Sequence, residues 1–293
     1  MKVLITGDVG FIGSAFRRTL DTPDNDITGC DIKRGHDCRL LFAEDDTRYD
    51  LVLHCAAIVG GRATIEGQPM QVATDLAIDS DYFQFLLRTR PHRAVFFSSS
   101  AAYPTALQGP VHHRRLHETD IDLDDVAQPD NTYGLAKLVG EVQARLVQAE
   151  GVGLTVVRPF SGYGHEQADS YPFPSFIRRA LDRADPFPVW GTGRQVRDWI
   201  HLVDVVGATL ALAEQGVDGP VNLCTGRGTS MDDLARMCMT AAGHEAPIVH
   251  HLDAPTGVAY RVGDPTLLRR WYRPRWSLEA GVADAVARLG SVV

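Results

Sequence analysis

The sequence predicts a doubly wound α/β fold, a parallel sheet with helices on both faces, followed by a smaller C-terminal region. Three observations carry this prediction. Short apolar runs at 2–6, 27–30, 50–57, 94–97 and 154–157 alternate with helical patterns at 14–20, 69–89 and 133–150. Such alternation packs as parallel strands joined by right-handed crossovers. The first run leads straight into three glycines, Gly7, Gly10 and Gly13, at the mouth of a helix, and the second ends on an acid, Asp31.

The first strand is Lys2–Thr6. The turn after it, Gly7-Asp8-Val9-Gly10-Phe11-Ile12-Gly13, brings bare backbone and amide N–H groups to the positive end of a helix. A pyrophosphate needs both. Asp31, with Ile32 after it, closes the second strand where a carboxylate accepts the two hydroxyls of an adenosine ribose. A 2′-phosphate there would meet like charge, so the expected cofactor is NAD, not NADP. Lys33 and Arg34 close by are cations that would favour such a phosphate. The strand within Asp50–Ala57 ends in small residues, Ala56 and Ala57, which let a cofactor approach the sheet edge. The strand 94–97 ends in Ser98-Ser99-Ser100, and the charged, proline-bearing loop after it is expected on the surface. Tyr133 to Glu150 reads as a strong helix, with apolar residues at 135, 138, 139, 142 and 146. Leu154–Val157 is a strand ending at Arg158-Pro159; beyond 160 the pattern weakens until a strand at 199–202 and a helix at 203–214. Residues 1–160 are therefore expected to form the dinucleotide-binding domain, with 196–222 returning to it, and 161–195 and 223–293 the substrate-binding region.

Ligands of such sheets bind beyond the carboxyl ends of the strands. Tyr133 and Lys137 lie four residues apart, on one helix face. An ammonium beside a phenol favours the phenolate. The positively charged pyridinium ring of NAD acts in the same direction, and a phenolate can take the proton of an alcohol as hydride leaves its carbon. A serine at the end of the fourth strand would hold the alcohol oxygen. His54 and His201 lie on apolar strands and read as core histidines.

The net charge is −8 and no long basic run occurs, so neither nucleic acid nor a membrane surface is an expected partner. No apolar run approaches the ~20 residues of a membrane span. The five cysteines are scattered, lack metal-ligand spacing and read as reduced thiols. The chain opens directly on its first strand, so no signal peptide is expected, and the expected compartment is the cytoplasm.

Taken together, these residues resemble the extended short-chain dehydrogenase/reductases of the NAD-dependent nucleotide-sugar epimerase/dehydratase family. The sequence is most similar to the family's UDP-glucose 4-epimerase and GDP-mannose 3,5-epimerase branches. The resemblance rests on the Gly7–Gly13 turn, Asp31, Ala56-Ala57, Val59-Gly60-Gly61, Ser99 and Tyr133-Gly-Leu-Ala-Lys137, and on Arg158-Pro159, Trp190–Gly193, Arg197–His201, Arg261–Asp264 and Trp276–Gly281. It implies a Rossmann sheet, tightly held NAD and a nucleotide-diphosphate sugar as substrate. It also implies a catalytic set of Ser99, Tyr133 and Lys137. The family pattern selects Ser99, four residues before Tyr103, whereas counting from the strand end selects Ser100.

The resemblance also implies an adenine contact at Asp37-Cys38, diphosphate contacts at Arg197 and Arg261, and sugar or diphosphate contacts at Ser100, Tyr103, Ser161 and Tyr171. Ser100-Ala101 stands where family dehydratases carry Asp-Glu. Ala101 and Tyr171 stand where the 3,5-epimerases place a Cys and its Lys or His partner, and Thr74 or Asp75 where a helical Asn is usual. These departures leave epimerisation through a transient 4-keto sugar as the expected activity. A 4,6-dehydratase, a 4-keto-sugar reductase or a non-catalytic NAD-binding protein are the alternatives. Apolar residues on 69–89 (Phe83, Phe85, Leu86, Leu87) and 133–149 exceed what one sheet-facing side requires. Because the family pairs these helices across a two-fold axis, a homodimer is expected.

Overall fold

The computed structural model describes residues 1–60, 62–111 and 113–291. Along the chain the strands are β1 (Lys2–Thr6), β2 (Asp26–Cys30), β3 (Leu51–His54), β4 (Arg93–Phe97), β5 (Leu154–Pro159), β6 (Ser161–Tyr163), β7 (Phe187–Trp190), β8 (Val196–His201), β9 (Val221–Leu223), β10 (Gly228–Ser230), β11 (Ile248–His251) and β12 (Tyr260–Arg261). The α-helices are α1 (Phe11–Leu20), α2 (Cys38–Glu44), α3 (Arg62–Gly67), α4 (Gln71–Thr89), α5 (Thr132–Ala149), α6 (Pro172–Leu181), α7 (Leu202–Glu214), α8 (Met231–Ala241) and α9 (Leu278–Gly290).

Six strands form one parallel sheet in the order β2-β1-β3-β4-β5-β9. Successive side chains of a strand point to opposite faces, and here both faces are covered. Val3 and Ile5 of β1, Leu51 and Leu53 of β3, Val95 and Phe97 of β4 and Val157 of β5 join Phe16 of α1 and Val205, Ala208 and Leu212 of α7. Leu4, Val52, Phe96, Leu154 and Val156 turn the other way, onto Phe42 of α2, Tyr82, Phe83 and Leu86 of α4, and Ala144 and Val147 of α5. That two-sided burial is why the strands read as unbroken apolar runs. Each fully buried Leu or Phe contributes about 1.5–3 kcal/mol. The doubly wound Rossmann architecture expected from the sequence is the one observed.

The C-terminal lobe is a second, smaller layer. β8 pairs with β6, β10 and β12, and β7 pairs with β11. Helices α6, α8 and α9 close over them through Phe173, Ile177, Leu234, Cys238 and Val282, packed against Tyr163 and Trp199.

Three expectations need correction. Segment 196–222 does not return as a whole: α7 covers the main sheet and β9 joins it, but 196–201 is β8, the centre of the second sheet. The reason is β6, which leaves the main sheet after Pro159 and captures β8. The loop after β4 is not simply a surface loop, since Tyr103, Gln108 and Leu116 are buried. It is tied down by Asn222, whose backbone N–H donates to Glu118 Oε1 (2.9 Å) and whose side chain donates to Leu116 O (2.9 Å). Finally, Phe83, Phe85 and Leu86 of α4 are not surplus apolar surface; they are 3%, 0% and 0% exposed, inside the core.

Candidate active site

The glycine turn is packed backbone to backbone. Gly7 sits at φ +69°, and a Cβ there would fall 2.7 Å from Ala56 N; a Cβ on Gly13 would fall 2.1 Å from Gly7 O. Only glycine fits either place. Helix α1 opens at Phe11, so its free amides face the turn. Phe11 and Ile12 pack on the core beneath. Asp31 accepts the N–H of Val9 (3.0 Å) and of Lys33 (2.8 Å), which pins the turn to the end of β2. A bare cradle at a helix N-terminus with a carboxylate beside it fits a dinucleotide. Ala56 and Ala57 are half-buried at the end of β3, and Ile32 is exposed. Of the pair expected at the adenine, Asp37 lines a cleft of about 270 Å³ with Gly29, Cys30 and His36. Cys38 does not face it. That side chain is buried beside Phe42, and burial pushes its thiol up to about 12.

The start of α5 delivers the next group. Asn131 caps the helix by accepting Gly134 N–H (2.8 Å). Gly134 presses so close to the preceding turn that a Cβ would fall 2.2 Å from Ala101 O. This contact sets Tyr133 near Ser99, whose hydroxyl pulls the phenol slightly down and accepts Ala101 N–H (3.1 Å). Ser100 is buried behind it. One turn on, Lys137 Nζ lies 5.9 Å from the Tyr133 ring centroid and 5.0 Å from that of Phe96. Ser99, Tyr133 and Lys137 thus meet at the carboxyl end of β4.

Sequence reasoning missed the partner of this lysine. Lys137 Nζ donates to Asp79 Oδ2 (3.2 Å), both side chains being almost wholly buried. His54 Nε2 lies 3.2 Å from Asp79 Oδ1, and His54 Nδ1 lies 2.8 Å from Thr6 Oγ1. A carboxylate at Nε2 requires the proton there, so Nδ1 accepts from Thr6. The signal was available: Asp75, Asp79, Tyr82 and Leu86 share one face of α4, and two acids on a buried face need a partner.

These charges change the behaviour of the phenol. Burial pushes Tyr133 up; Lys137 pulls it down, but Asp75 and Asp79 push it up again, and the net effect is upward. The sequence expectation of a lowered phenol is thus reversed, because it counted the lysine but neither the burial of the phenol nor the two acids. Lys137 is held charged against burial by Asp79, Tyr133 and Asp75. Burial raises Asp75 to about 6, against the pull of Lys137 and of Ile58 N–H, which Asp75 Oδ1 accepts at 2.6 Å. Asp75→Asn keeps that acceptor and removes the charge. Without the negative neighbour the phenolate is easier to form, so the Tyr133 limb of the pH–rate profile is expected to move to lower pH. Profiles of wild type and variant check this, and an unmoved limb would contradict it.

On the substrate side the expected residues fall into three groups. Tyr171, at the entry to α6, is pushed up by burial and then by Tyr133. Ser161 is half-buried on β6. Arg197 and Arg261 stand opposite each other on β8 and β12. Both already have partners: Arg197 donates to Val196 O and Thr256 O, and Arg261 to Gln108 Oε1 (2.5 Å) and Asp130 Oδ2 (2.7 Å). A diphosphate would share Arg261 with Asp130. Tyr103 is a correction. It is 0% exposed, donates to Asn222 Oδ1 (2.7 Å) and accepts from Arg158 Nη1 (3.1 Å), so it is a structural aromatic. Asp198, in the Arg197–His201 motif, braces the lobe by accepting Thr225, Gly226 and Gly263 N–H groups. His54 and His201 are buried, and burial lowers both. Gly61 lies outside the described residues. Among the described residues no group of His, Cys, Asp or Glu could hold a metal, no helix is long and apolar enough to cross a membrane, and the five cysteines are unpaired.

A Gly-turn Rossmann sheet carrying a serine, a tyrosine and a lysine at its carboxyl edge defines a nucleotide-cofactor enzyme fold. The chain belongs to the NAD dependent epimerase/dehydratase family, whose model matches residues 3–224, and its cofactor is NAD. It is 28% identical to a dTDP-4-dehydro-6-deoxy-D-allose reductase of Streptomyces bikiniensis, over 90% of this chain and 88% of that protein. It is 27% identical to GDP-mannose 3,5-epimerase 1 of Oryza sativa subsp. indica, over 96% and 80%. Its fold matches that of UDP-glucose 4-epimerase of Thermotoga maritima, solved with UDP-glucose, at a TM-score of 0.84 and 22% identity, covering 100% of this chain and 99% of that one.

Proposed function

We propose that this protein is a nucleotide-sugar epimerase that oxidises a sugar at C4 and reduces the 4-keto intermediate from the other face. The observation that carries this is the Ser99, Tyr133 and Lys137 cluster beside the glycine turn. When bound, NAD accepts a hydride from a sugar carbon and returns it. Tyr133 takes the C4 hydroxyl proton and gives it back to the ketone. Ser99 holds the C4 oxygen, and Lys137, fixed by Asp79, supports the charged phenol. Arg197 and Arg261 bind the diphosphate, with Ser161 and Tyr171 on the sugar side. Ser100 and Ala101 offer no carboxylic acid to expel a hydroxyl as water, which weighs against dehydration. The test is purified enzyme with UDP-, GDP- and dTDP-hexoses, the product ring followed by NMR. A C4 epimer is expected, and release of a 4-keto-6-deoxy sugar would contradict it.

One observation favours a second reading, reduction of a 4-keto sugar. Burial and two acids push the phenol upward against the pull of Lys137, and so favour its protonated form, the one that donates to a ketone, over the phenolate. Stoichiometric consumption of free NADH or NADPH with a 4-keto sugar would establish it over epimerisation.

We also infer a homodimer through α5. Leu135 and Leu146 are 42% and 63% exposed, and the half-buried Val139 and Val142 complete their 4-3-4 stripe. Light scattering at micromolar concentration should give twice the chain mass, and Val142→Glu should give the monomer. A wild-type monomer would defeat this assembly.

A further inference from the structure

We propose that Asp8 withholds the arginines beside the adenosine ribose and so acts with Asp31 in choosing NAD over its 2′-phosphorylated form. This rests on the binding of NAD at the Gly7–Gly13 turn.

Asp8 follows the first glycine of that turn, and its side chain is 0% exposed. Its Oδ2 receives Arg17 Nη1 of α1 (2.7 Å) and, in closer contact, Arg34 Nη2. Its Oδ1 is buried with no partner. The carboxylate lies under β2, where a Cβ on Gly29 would fall 2.1 Å from Oδ2. Arg34 stands three residues after Asp31, on the short 3₁₀ turn that Asp31 caps. A guanidinium there is what a 2′-phosphate requires, since paired donors on a fixed fork match phosphate oxygens. Here one arm of that fork, Nη2, is engaged by Asp8, while the side chain as a whole stays 41% exposed.

The two acids act differently. Asp31, fixed by Val9 and Lys33 N–H groups, would face the ribose of bound NAD and repel a phosphate by like charge. Asp8 removes the rescue. To serve a phosphate, Arg34 must leave a fully buried carboxylate that already has one oxygen without a donor, and an undercompensated buried charge is costly. The Lys33 side chain is exposed and gives only its backbone N–H to the cap.

The test is calorimetric titration of the full chain with NAD and with NADP. Wild type is expected to prefer NAD by about tenfold or more. Asp8→Asn keeps the side-chain shape, releases Arg34, and should shift the ratio of the two dissociation constants toward NADP by about tenfold. Adding Arg34→Gln should reverse that shift. A folded Asp8→Asn protein that binds NAD with the wild-type ratio overturns the proposal. Where Asp8→Asn does not fold, Arg34→Gln alone decides. The proposal requires that it leave the wild-type ratio in place. A selective loss of NADP binding would show that Arg34 already serves the phosphate. Equal wild-type affinity for the two dinucleotides would instead overturn the placement of Asp31 itself, and the proposal with it.

Discussion

Replacing Tyr133 by Phe is expected to lower turnover by about 10³-fold or more while NAD affinity stays within about threefold. The ring remains, so the packing at the start of α5 and the contact with Lys137 are kept. What is lost is one oxygen, the phenol oxygen that Ser99 and Lys137 pull toward the charged form. A variant that retains more than a tenth of wild-type kcat would show that the sugar proton goes elsewhere. A variant that also loses NAD would show that the phenol is a binding group first. Measuring kcat and the NAD dissociation constant on the same preparation separates these outcomes.

The largest expected loss of stability lies behind the site. Arg158 and Glu141 form a buried ion pair, 1% and 2% exposed, in which Nε and Nη2 of the arginine meet the two carboxylate oxygens at 2.8 and 2.6 Å. Ser98 donates to the same carboxylate. Arg158 Nη1 reaches Tyr103 Oη (3.1 Å) and Glu118 O (2.8 Å), which joins β5, α5 and the loop after β4. Burial works against the charge on this arginine, and Glu141 and Tyr103 more than restore it. Arg158→Met would leave Glu141 buried with Ser98 as its remaining donor, at an expected cost of about 3–5 kcal/mol in urea unfolding. Pairing it with Glu141→Leu removes the orphaned charge and should recover most of that loss. A single variant within about 1 kcal/mol of wild type would contradict a buried charge pair at this place.

What the sequence reveals here is what depends on near neighbours. The strands show as apolar runs because both faces are buried, and the Gly7–Gly13 turn and the Tyr133–Lys137 spacing are local facts. The partners that set the chemistry are remote. Asp79 is 58 residues from Lys137, Asp130 is 131 from Arg261, and Asp8 is 26 from Arg34. No periodicity links such pairs; the crossover topology of the sheet brings them together. The loop after β4 misleads for a related reason. Its composition is that of a surface segment, yet Tyr103, Gln108 and Leu116 are held inside by Arg158, Arg261 and Asn222 from other strands. The same limit explains α4, whose aromatic residues suggest a partner face in sequence and fill the core in space.

The most direct test of hydride shuttling at C4 uses a nucleotide hexose with deuterium in place of the C4 hydrogen. Epimerisation by Ser99, Tyr133 and Lys137 around bound NAD predicts the C4 epimer with its deuterium still on C4, because the transferred hydride returns to the carbon it left. An epimer in which C4 carries hydrogen from solvent, or a released 4-keto sugar, would contradict it.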